Sequence, residues 1–443
     1  IRWSHSQDQK ANPYFTFSSS VNFSTSGYNR SNINYYYRPD LNSENTKSSS
    51  VSFTKRFPGI PNLNLSGSML ISQRTKDSTI SLSFPNLNVS VSRFVPFKRK
   101  NAIGKEKWYE KIYMSYSGTF ANSINTKENL LLSSSFSKDW KNGMKHSIPI
   151  SATFNVLKYI NISPTFNYTE RWYLQSIHKD WDTENQKVKI DTISEFHRVY
   201  DFNMGISAST KIYGFFIPIR SIFGDKVDRI RHVFTPSIGL GYTPNFGDSR
   251  WGYYDSYDKI TKDPTDPDVL YHEQVSYSRY EGSLYGYPGT GKSGSINYSF
   301  ANNLEMKVRN DKDTTGTVPY KVISLIDNFS VGGSYNMVAD SMNWSNFNVN
   351  LRLKFGQNRS LNLSGSFDPY MYGLNKSGQP VRINELRWNH GKFPRFLGTN
   401  TSYSFTFNND TFKKLFGKGK TASSSSQSNP LDAQNEESLP TEQ

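Results

Sequence analysis

The chain has 443 residues, of which 35% are hydrophobic and 15% aromatic, and its formal net charge is +15 at pH 7. It contains no cysteine, which excludes disulfides and thiolate metal sites. The low apolar fraction is typical of disorder, but disordered chains are poor in aromatic residues, so the composition favours strands with one apolar and one polar face. The sequence has no run of about 18 apolar residues, so a spanning helix is excluded and only strands are left to cross a membrane.

Period-2 alternation follows most of the chain and predicts half-buried strands. It is clear in NLNLSGSMLIS (62–72), KIYMSYSGTF (111–120) and FNVNLRLKF (347–355). In the last segment Asn348, Asn350 and Arg352 form the polar face, opposite Leu351 and Leu353. The segments are about nine to twelve residues long, which suits tilted strands that cross a bilayer better than the shorter strands of soluble sheets.

The sequence therefore predicts an all-β fold, a large antiparallel transmembrane β-barrel. Roughly nineteen strands are visible in the sequence. Residues 1–416 are assigned to barrel strands and loops, and 417–443 to a disordered polar tail. The predicted strands include 31–38, 79–84, 87–94, 128–138, 293–301, 304–309 and 398–409, and tight turns are predicted at 85–86 and 302–303.

Long and short connections are expected at opposite ends of the barrel. Numbered along the chain, the long connections 95–108, 175–193, 244–292 and 310–321 all follow odd strands. Two others, 212–231 and 369–397, are long but follow even strands, which indicates a slip in the count or inserted elements. Aromatic residues near strand ends are expected to form an interfacial girdle; they are Trp108, Tyr109, Trp140, Trp172, Tyr173 and Trp344. Three prolines within strands are expected at bulges, strand starts or weakly paired positions; they are Pro149, Pro164 and Pro236.

Residues 286–293 read GYPGTGKS, which matches the phosphate-binding P-loop pattern at Gly286, Gly291, Lys292 and Ser293. A P-loop needs a buried apolar strand before it and a helix after it. Here a polar, tyrosine-rich segment precedes the motif and an alternating strand follows it. We therefore interpret the motif as the end of a long loop rather than a nucleotide site.

Other chemistry is not indicated by the sequence. The seven histidines show no metal-ligand spacing, and the acidic stretch 258–269 lacks the glycine and order of a calcium loop. The sequence contains no nucleophile elbow, and its basic residues are spread too widely for a nucleic-acid module. The sequence therefore predicts no cofactor, no metal, no nucleic-acid binding and no enzymatic activity.

Four stretches together resemble the barrel portion of LptD, the outer-membrane protein of lipopolysaccharide assembly, in the form found in Bacteroidetes. They are FPNLNVSVSRFVPFKRKNAIGKEKWYEKIYMSYSG (84–118), KDWKNGMKHSIPISATFNVLKYINISPTFNYTERWY (138–173), IRHVFTPSIGLGYTPNFGD (230–248) and SLIDNFSVGGSYNMVADSMNWS (324–345). The resemblance runs from the first residues to about residue 416.

The resemblance implies a non-catalytic translocon in the bacterial outer membrane that inserts lipopolysaccharide into the outer leaflet. It also implies a barrel of about 26 strands, of which the roughly nineteen visible here are a part. It implies an LptE-like lipoprotein that plugs the barrel, and an LptA-like periplasmic bridge that delivers lipid through a jellyroll domain. The chain departs from the family by its strand count, its polar tail and the lack of a jellyroll and of cysteines, so a fragment is expected. The basic cluster of the sequence is hypothesised to contact lipid A phosphates; it comprises Lys98, Arg99, Lys100, Lys105 and Lys107.

Two alternatives share the same strand pattern. One is another outer-membrane barrel: a porin, a nutrient transporter or a secretion channel. The other is a soluble or surface β-protein that binds glycans, whose second sheet face would pack in a core.

Overall fold

A computed structural model describes residues 1–8, 10–23, 46–60, 62–74, 77–101, 103–135, 139–219, 226–262, 270–310, 320–355 and 359–405. Their main element is one 17-stranded sheet, accompanied by three two-stranded hairpins. The strands of the sheet are β1 Arg2–Ser6, β2 Phe15–Asn22, β3 Thr46–Arg56, β4 Leu63–Arg74, β5 Thr79–Phe94, β6 Ile112–Lys127, β7 Lys141–Ala152, β8 Phe154–Val156, β9 Ile160–Tyr173, β12 His197–Thr210, β13 Ile212–Phe216, β14 Val227–Thr243, β17 Ser293–Arg309, β18 Tyr320–Asn336, β19 Phe347–Lys354, β20 Arg359–Asp368 and β23 Arg395–Phe405. The hairpins are β10 Ser176–Asp182 with β11 Lys187–Ile193, β15 Tyr254–Lys262 with β16 Leu270–Ser278, and β21 Tyr370–Leu374 with β22 Pro380–Leu386.

Every pairing in the large sheet is antiparallel, and apart from two interrupted strands each strand pairs with the sheet strands next to it in sequence. β7 and β8 both pair with β9, and β12 and β13 both pair with β14, so each couple is one interrupted strand. Within the described residues β1 pairs only with β2 and β23 only with β20, so these two strands are the edges of the sheet. The meander is the wall of an outer-membrane β-barrel, as predicted, and it is not closed over the described residues.

The two faces of the sheet differ in chemistry along its whole length, as the alternation predicted. On one face Ile206 pairs with Leu240 and Leu240 with Ile296, so apolar side chains stand in rows across the strands. On the other face Ser207 pairs with Gly239 and Gly239 with Asn297. We call the first the outer face and the second the lumen face. Several outer-face side chains are largely exposed in the isolated chain; they are Met204, Ile206, Ile238, Leu240, Tyr242 and Phe300. Exposed apolar rows of this extent are what a lipid-facing wall requires.

The prolines lie where the ladder of hydrogen bonds is interrupted. Pro164 of β9 lies opposite the break between β7 and β8, and Pro236 of β14 opposite the break between β12 and β13. Pro149 lies within the gap in pairing between Met114–Ile150 and Ser117–Ser147. Proline has no N–H to donate to the neighbouring strand, so each ladder opens on that side. The expectation of weakly paired positions is confirmed.

Three predicted strand boundaries were wrong. Residues 79–84 and 87–94 form the single strand β5, and 293–301 and 304–309 form the single strand β17, with register shifts at the positions predicted as turns. The described part of the predicted strand 128–138 holds turns and the 3₁₀ turn Leu131–Ser133 instead. The predicted strand 31–38 and the tail 417–443 lie outside the described residues, and that domain boundary stays a prediction.

The corrected strands change which connections share an end of the wall. One end carries all three hairpins, in the connections 174–196, 244–292 and 369–394, and we call it the hairpin end. The opposite end carries shorter connections such as 57–62, 157–159 and 355–358, and also 95–111, which the sequence had placed with the long loops. Outer-membrane barrels have long loops outside the cell and short turns in the periplasm, so the hairpin end is extracellular.

Candidate functional site

A loop folds back over the lumen face at the hairpin end. Residues 281–289, called the inner loop, follow β16 and lead towards β17. Tyr285 lies against Gly143 of β7, where an added Cβ would come within 3.1 Å of the tyrosine ring. Gly143 shares the lumen face with Lys145 and Ser147, so glycine at this position makes room for the ring.

The inner loop is held through its own backbone carbonyls. Lys141 Nζ donates to the oxygen of Gly282 at 3.0 Å, and Arg171 Nε donates to that of Tyr285 at 3.0 Å. The Tyr173 hydroxyl donates to the oxygen of Gly286 at 2.7 Å, and the Tyr254 hydroxyl to that of Pro288 at 2.6 Å. Because the four donors bind backbone oxygens, this arrangement does not depend on which side chains the loop carries.

This geometry is the reverse of a phosphate cradle. A P-loop turns its N–H groups towards the ligand and opens a helix, whereas here carbonyl oxygens face the donors and Ser293 opens strand β17. The N–H of Gly291 donates to Asn245 Oδ1 at 2.7 Å, and that of Gly286 to the carbonyl of Ser283. Gly286 and Gly291 have φ values of +65° and +85°, which explains the glycines by backbone conformation. Lys292 is exposed beside them.

Two clefts lie between the inner loop and the wall. One has a volume of about 430 Å³ and is lined by Tyr285 and by lumen-face residues of β3–β6 such as Thr54, Ser66, Asn88 and Thr119. A second, of about 750 Å³, extends from Leu284 and Lys141 along the serines of β3–β6. Hydroxyl and amide groups of the wall thus line both clefts together with apolar side chains, and they can form hydrogen bonds to saccharides or water.

An aromatic cluster fixes the hairpin end to the wall. Tyr173, Val199, Phe246, Tyr253 and Tyr280 are all buried and form one packed cluster. The Tyr253 hydroxyl donates to the carbonyl of Tyr200 at 3.0 Å, and burial raises the pKa of Tyr253 to about 12. The sequence interpretation missed this cluster, because the hairpin residues were assigned to loops. Tyr173, predicted for the interfacial girdle, lies here on the lumen face instead.

Aromatic residues also mark the extracellular boundary of the outer face. Trp172 packs at a tilted angle against His146, with ring centroids 4.4 Å apart, and its indole N–H donates to Glu170 at 2.6 Å. Arg198 binds the same carboxylate through two nitrogens, at 2.6 and 2.9 Å. A charged pair among aromatic rings is typical of the headgroup region, so the apolar rows of the membrane layer end here.

The basic cluster lies in the connection between β5 and β6. Lys98, Lys100, Lys105 and Lys107 are exposed, whereas Arg99 is paired with the buried carboxylate of Glu110. Arg99 donates to both carboxylate oxygens of Glu110, at 2.7 and 3.0 Å, and the backbone N–H of Lys107 donates at 2.6 Å. These donors lower the pKa of Glu110 to about 2, Arg99 contributing most. The structure thus gives Arg99 a bracing role, and contact of the cluster with lipid A phosphates stays a prediction.

A second buried carboxylate braces the hairpin β21–β22. Asp368 is fully buried and accepts hydrogen bonds from Arg382 at 2.7 and 3.0 Å, from the Tyr372 hydroxyl at 3.0 Å and from the Tyr370 backbone at 3.0 Å. Arg382 also reaches Asn346, next to a polar cleft on the lumen face. The acid–arginine pairs at Glu110 and Asp368 are structural, since every contact that they make lies within the wall or its loops.

Within the described ranges, no three His, Asp or Glu side chains come together in a way that could hold a metal ion. No helix in the described part of the chain is long and apolar enough to span a membrane.

Comparison with known proteins identifies the family. Residues 1–370 match the family described as LptD protein, which covers most of the meander. A search of curated proteins finds no match. The family is one of outer-membrane proteins in lipopolysaccharide transport, and the two-faced antiparallel wall, the aromatic boundary and the structured loops at one end agree with that location. The chain belongs to the LptD family.

Proposed function

We propose that the chain is the barrel of a translocon that inserts lipopolysaccharide into the outer leaflet without covalent chemistry. The observation that carries the proposal is the family match over residues 1–370, which covers most of the wall. The polar lumen face offers hydroxyl and amide groups to a saccharide, and the outer face offers apolar rows to lipid. An LptE-like lipoprotein in the lumen and an LptA-like periplasmic bridge are part of the proposal.

The inner loop favours this function over that of a general porin. It covers part of the lumen face and is fixed by four side-chain donors, namely Lys141, Arg171, Tyr173 and Tyr254. A porin needs an open aqueous channel, whereas a translocon needs a lumen that small solutes do not cross freely.

The test is a pull-down of the full-length protein from detergent-solubilised membranes, followed by mass spectrometry. Recovery of a small lipoprotein together with lipopolysaccharide is the expected result. Recovery of the barrel alone, with steady ion conductance in planar bilayers, would transfer the assignment to a general channel. Depletion of the protein should also lower surface lipopolysaccharide, measured by accessibility to an antibody on intact cells.

A further inference from the structure

The connection between β5 and β6 combines two surface properties that rarely occur together. Residues 95–111, called the basic loop, expose the four lysines Lys98, Lys100, Lys105 and Lys107. They also expose Phe97, Ile103 and Trp108, with 55%, 92% and 67% of each residue accessible. Three large apolar side chains exposed together on one loop are unusual for a surface that contacts only water, and they indicate an interaction site.

The position of the basic loop relates these apolar side chains to the membrane. The loop begins after Phe94 and ends before Ile112, and both flanking residues belong to the outer face. Both strands next to the loop therefore end in a residue of the lipid-facing surface. The loop lies at the short-turn end, which is the periplasmic end of the wall.

The loop is also preorganised. Glu110 is 3% exposed and accepts hydrogen bonds from the Arg99 side chain and from the backbone N–H of Lys107. Arg99 Nη2 also donates to the carbonyl of Lys105. Glu106 is the other acid of the loop and is exposed. Because Glu110 is buried and paired with Arg99, Glu106 is the one acid on the exposed surface of the loop. The four exposed lysines therefore give that surface a net positive charge.

We propose that the basic loop anchors the barrel to the periplasmic leaflet by binding anionic glycerophospholipid headgroups. The lysines contact the phosphates, and Phe97, Ile103 and Trp108 enter the boundary between headgroups and acyl chains. Aromatic and basic side chains at a membrane surface act together in this way. Lipid A carries phosphates as well, but it resides in the opposite leaflet. Because the basic loop lies at the periplasmic end of the wall, glycerophospholipid is the phosphate-bearing lipid next to it. The inference rests on the outer-membrane location and not on the transport reaction.

The test compares two matched variants of the full chain. The first carries Lys98→Gln, Lys100→Gln, Lys105→Gln and Lys107→Gln. The control replaces four exposed lysines of the hairpin end by glutamine; they are Lys187, Lys189, Lys376 and Lys392. Both variants lose the same charge, and heat-modifiable migration on gels checks that both fold. The probes are phosphatidylglycerol, phosphatidylethanolamine and lipopolysaccharide, added to the detergent-purified proteins and counted by native mass spectrometry.

The expected result is selective loss of phosphatidylglycerol. Binding should fall at least about tenfold in the first variant and stay near wild type in the control, since each lysine near an anionic surface contributes separately. Equal losses in the two variants would overturn the proposal, because the effect would then be general charge. Preferential binding of lipopolysaccharide that the first variant loses would also overturn it and favour the lipid A hypothesis. Neither readout depends on transport, so a failed lipoprotein pull-down would leave this result unaffected.

A second measurement examines the apolar side chains. In liposomes, lipids brominated near the headgroup should quench part of the tryptophan fluorescence, and Trp108→Phe should lower the quenched fraction. Unchanged quenching in the Trp108→Phe variant would show that the loop does not reach the membrane.

Discussion

Replacing Ile238 by arginine is expected to destabilise the wall strongly. Its side chain lies on the outer face, pairs with Ala208 and Tyr298, and is 52% exposed. The apolar outer-face run of β14 lies between His232 and Tyr242, and a tilted strand crosses the apolar layer in about nine to eleven residues. Ile238 is therefore close to the bilayer midplane, where an outward arginine costs about 2–4 kcal/mol, or about 30- to 900-fold in the unfolding equilibrium.

Ser207→Arg is the matched control for this prediction. Ser207 is exposed and pairs with Gly239, the neighbour of Ile238, so it lies at the same depth on the lumen face. There the guanidinium stays in water, and we expect little change. The assay is the free energy of unfolding in denaturant after reconstitution in lipid. If Ser207→Arg costs as much as Ile238→Arg, the assignment of the two faces is wrong and both sides of the sheet are buried, as in a soluble β-protein.

Three further predictions concern the loops and one strand contact. Tyr173→Phe removes one hydrogen-bond donor to the inner loop and should lower the local stability of that loop by about 0.5–1.5 kcal/mol. Amide hydrogen exchange in residues 281–289 should then become about 2- to 13-fold faster, whereas the control Tyr257→Phe should leave it unchanged. Gly332→Ala places a Cβ 2.9 Å from a backbone oxygen of β17 and should destabilise by about 1–3 kcal/mol in denaturant, whereas Gly398→Ala meets nothing within 4 Å. The stabilisation of the basic loop by the ionised Glu110 carboxylate is complete above the ordinary pKa of 4.5 and is lost as the pH falls towards about 2. Cleavage of the basic loop by pepsin should therefore increase as the pH falls through this range. The variant Glu110→Gln lacks the carboxylate and should already be cleaved readily at pH 4.5.

The alternation of residue types predicted the strands and their faces because lipid and lumen impose opposite demands on neighbouring residues. Asn348 and Asn350 did fall on the face opposite Leu351, as expected. The same rule could not find the hairpins β10–β11 and β15–β16, which lie beyond the membrane. Their strands pack through scattered contacts, such as the Trp181 indole N–H donating to the carbonyl of Ile260 at 2.8 Å. The alternation in KVKIDTI (187–193) was the one local signal for a strand there.

Turn-forming residues misled the interpretation inside long strands. Pro85 with Asn86, and Asn302 with Asn303, read as turns because these residue types favour turns. In the structure the strands continue with a shift of register, and the amide of Asn303 donates to the carbonyl of Asp327 in β18 at 2.8 Å. An asparagine amide can thus replace a ladder hydrogen bond at a bulge, and the sequence alone does not distinguish that role from a turn.

Strand count decides which lipid the basic loop meets. With 128–138 counted as a strand, the connection after β5 falls at the same end as residues 244–292 and so beside lipid A. Without that strand, the antiparallel order places the connection at the opposite end, beside the phospholipids of the periplasmic leaflet. The residues of the loop are the same in both cases, and only the number of strands between this connection and residues 244–292 differs. The chemistry of a basic and aromatic loop therefore identifies a phosphate-bearing surface, while the topology identifies the leaflet, and a ligand can be proposed only from the two together.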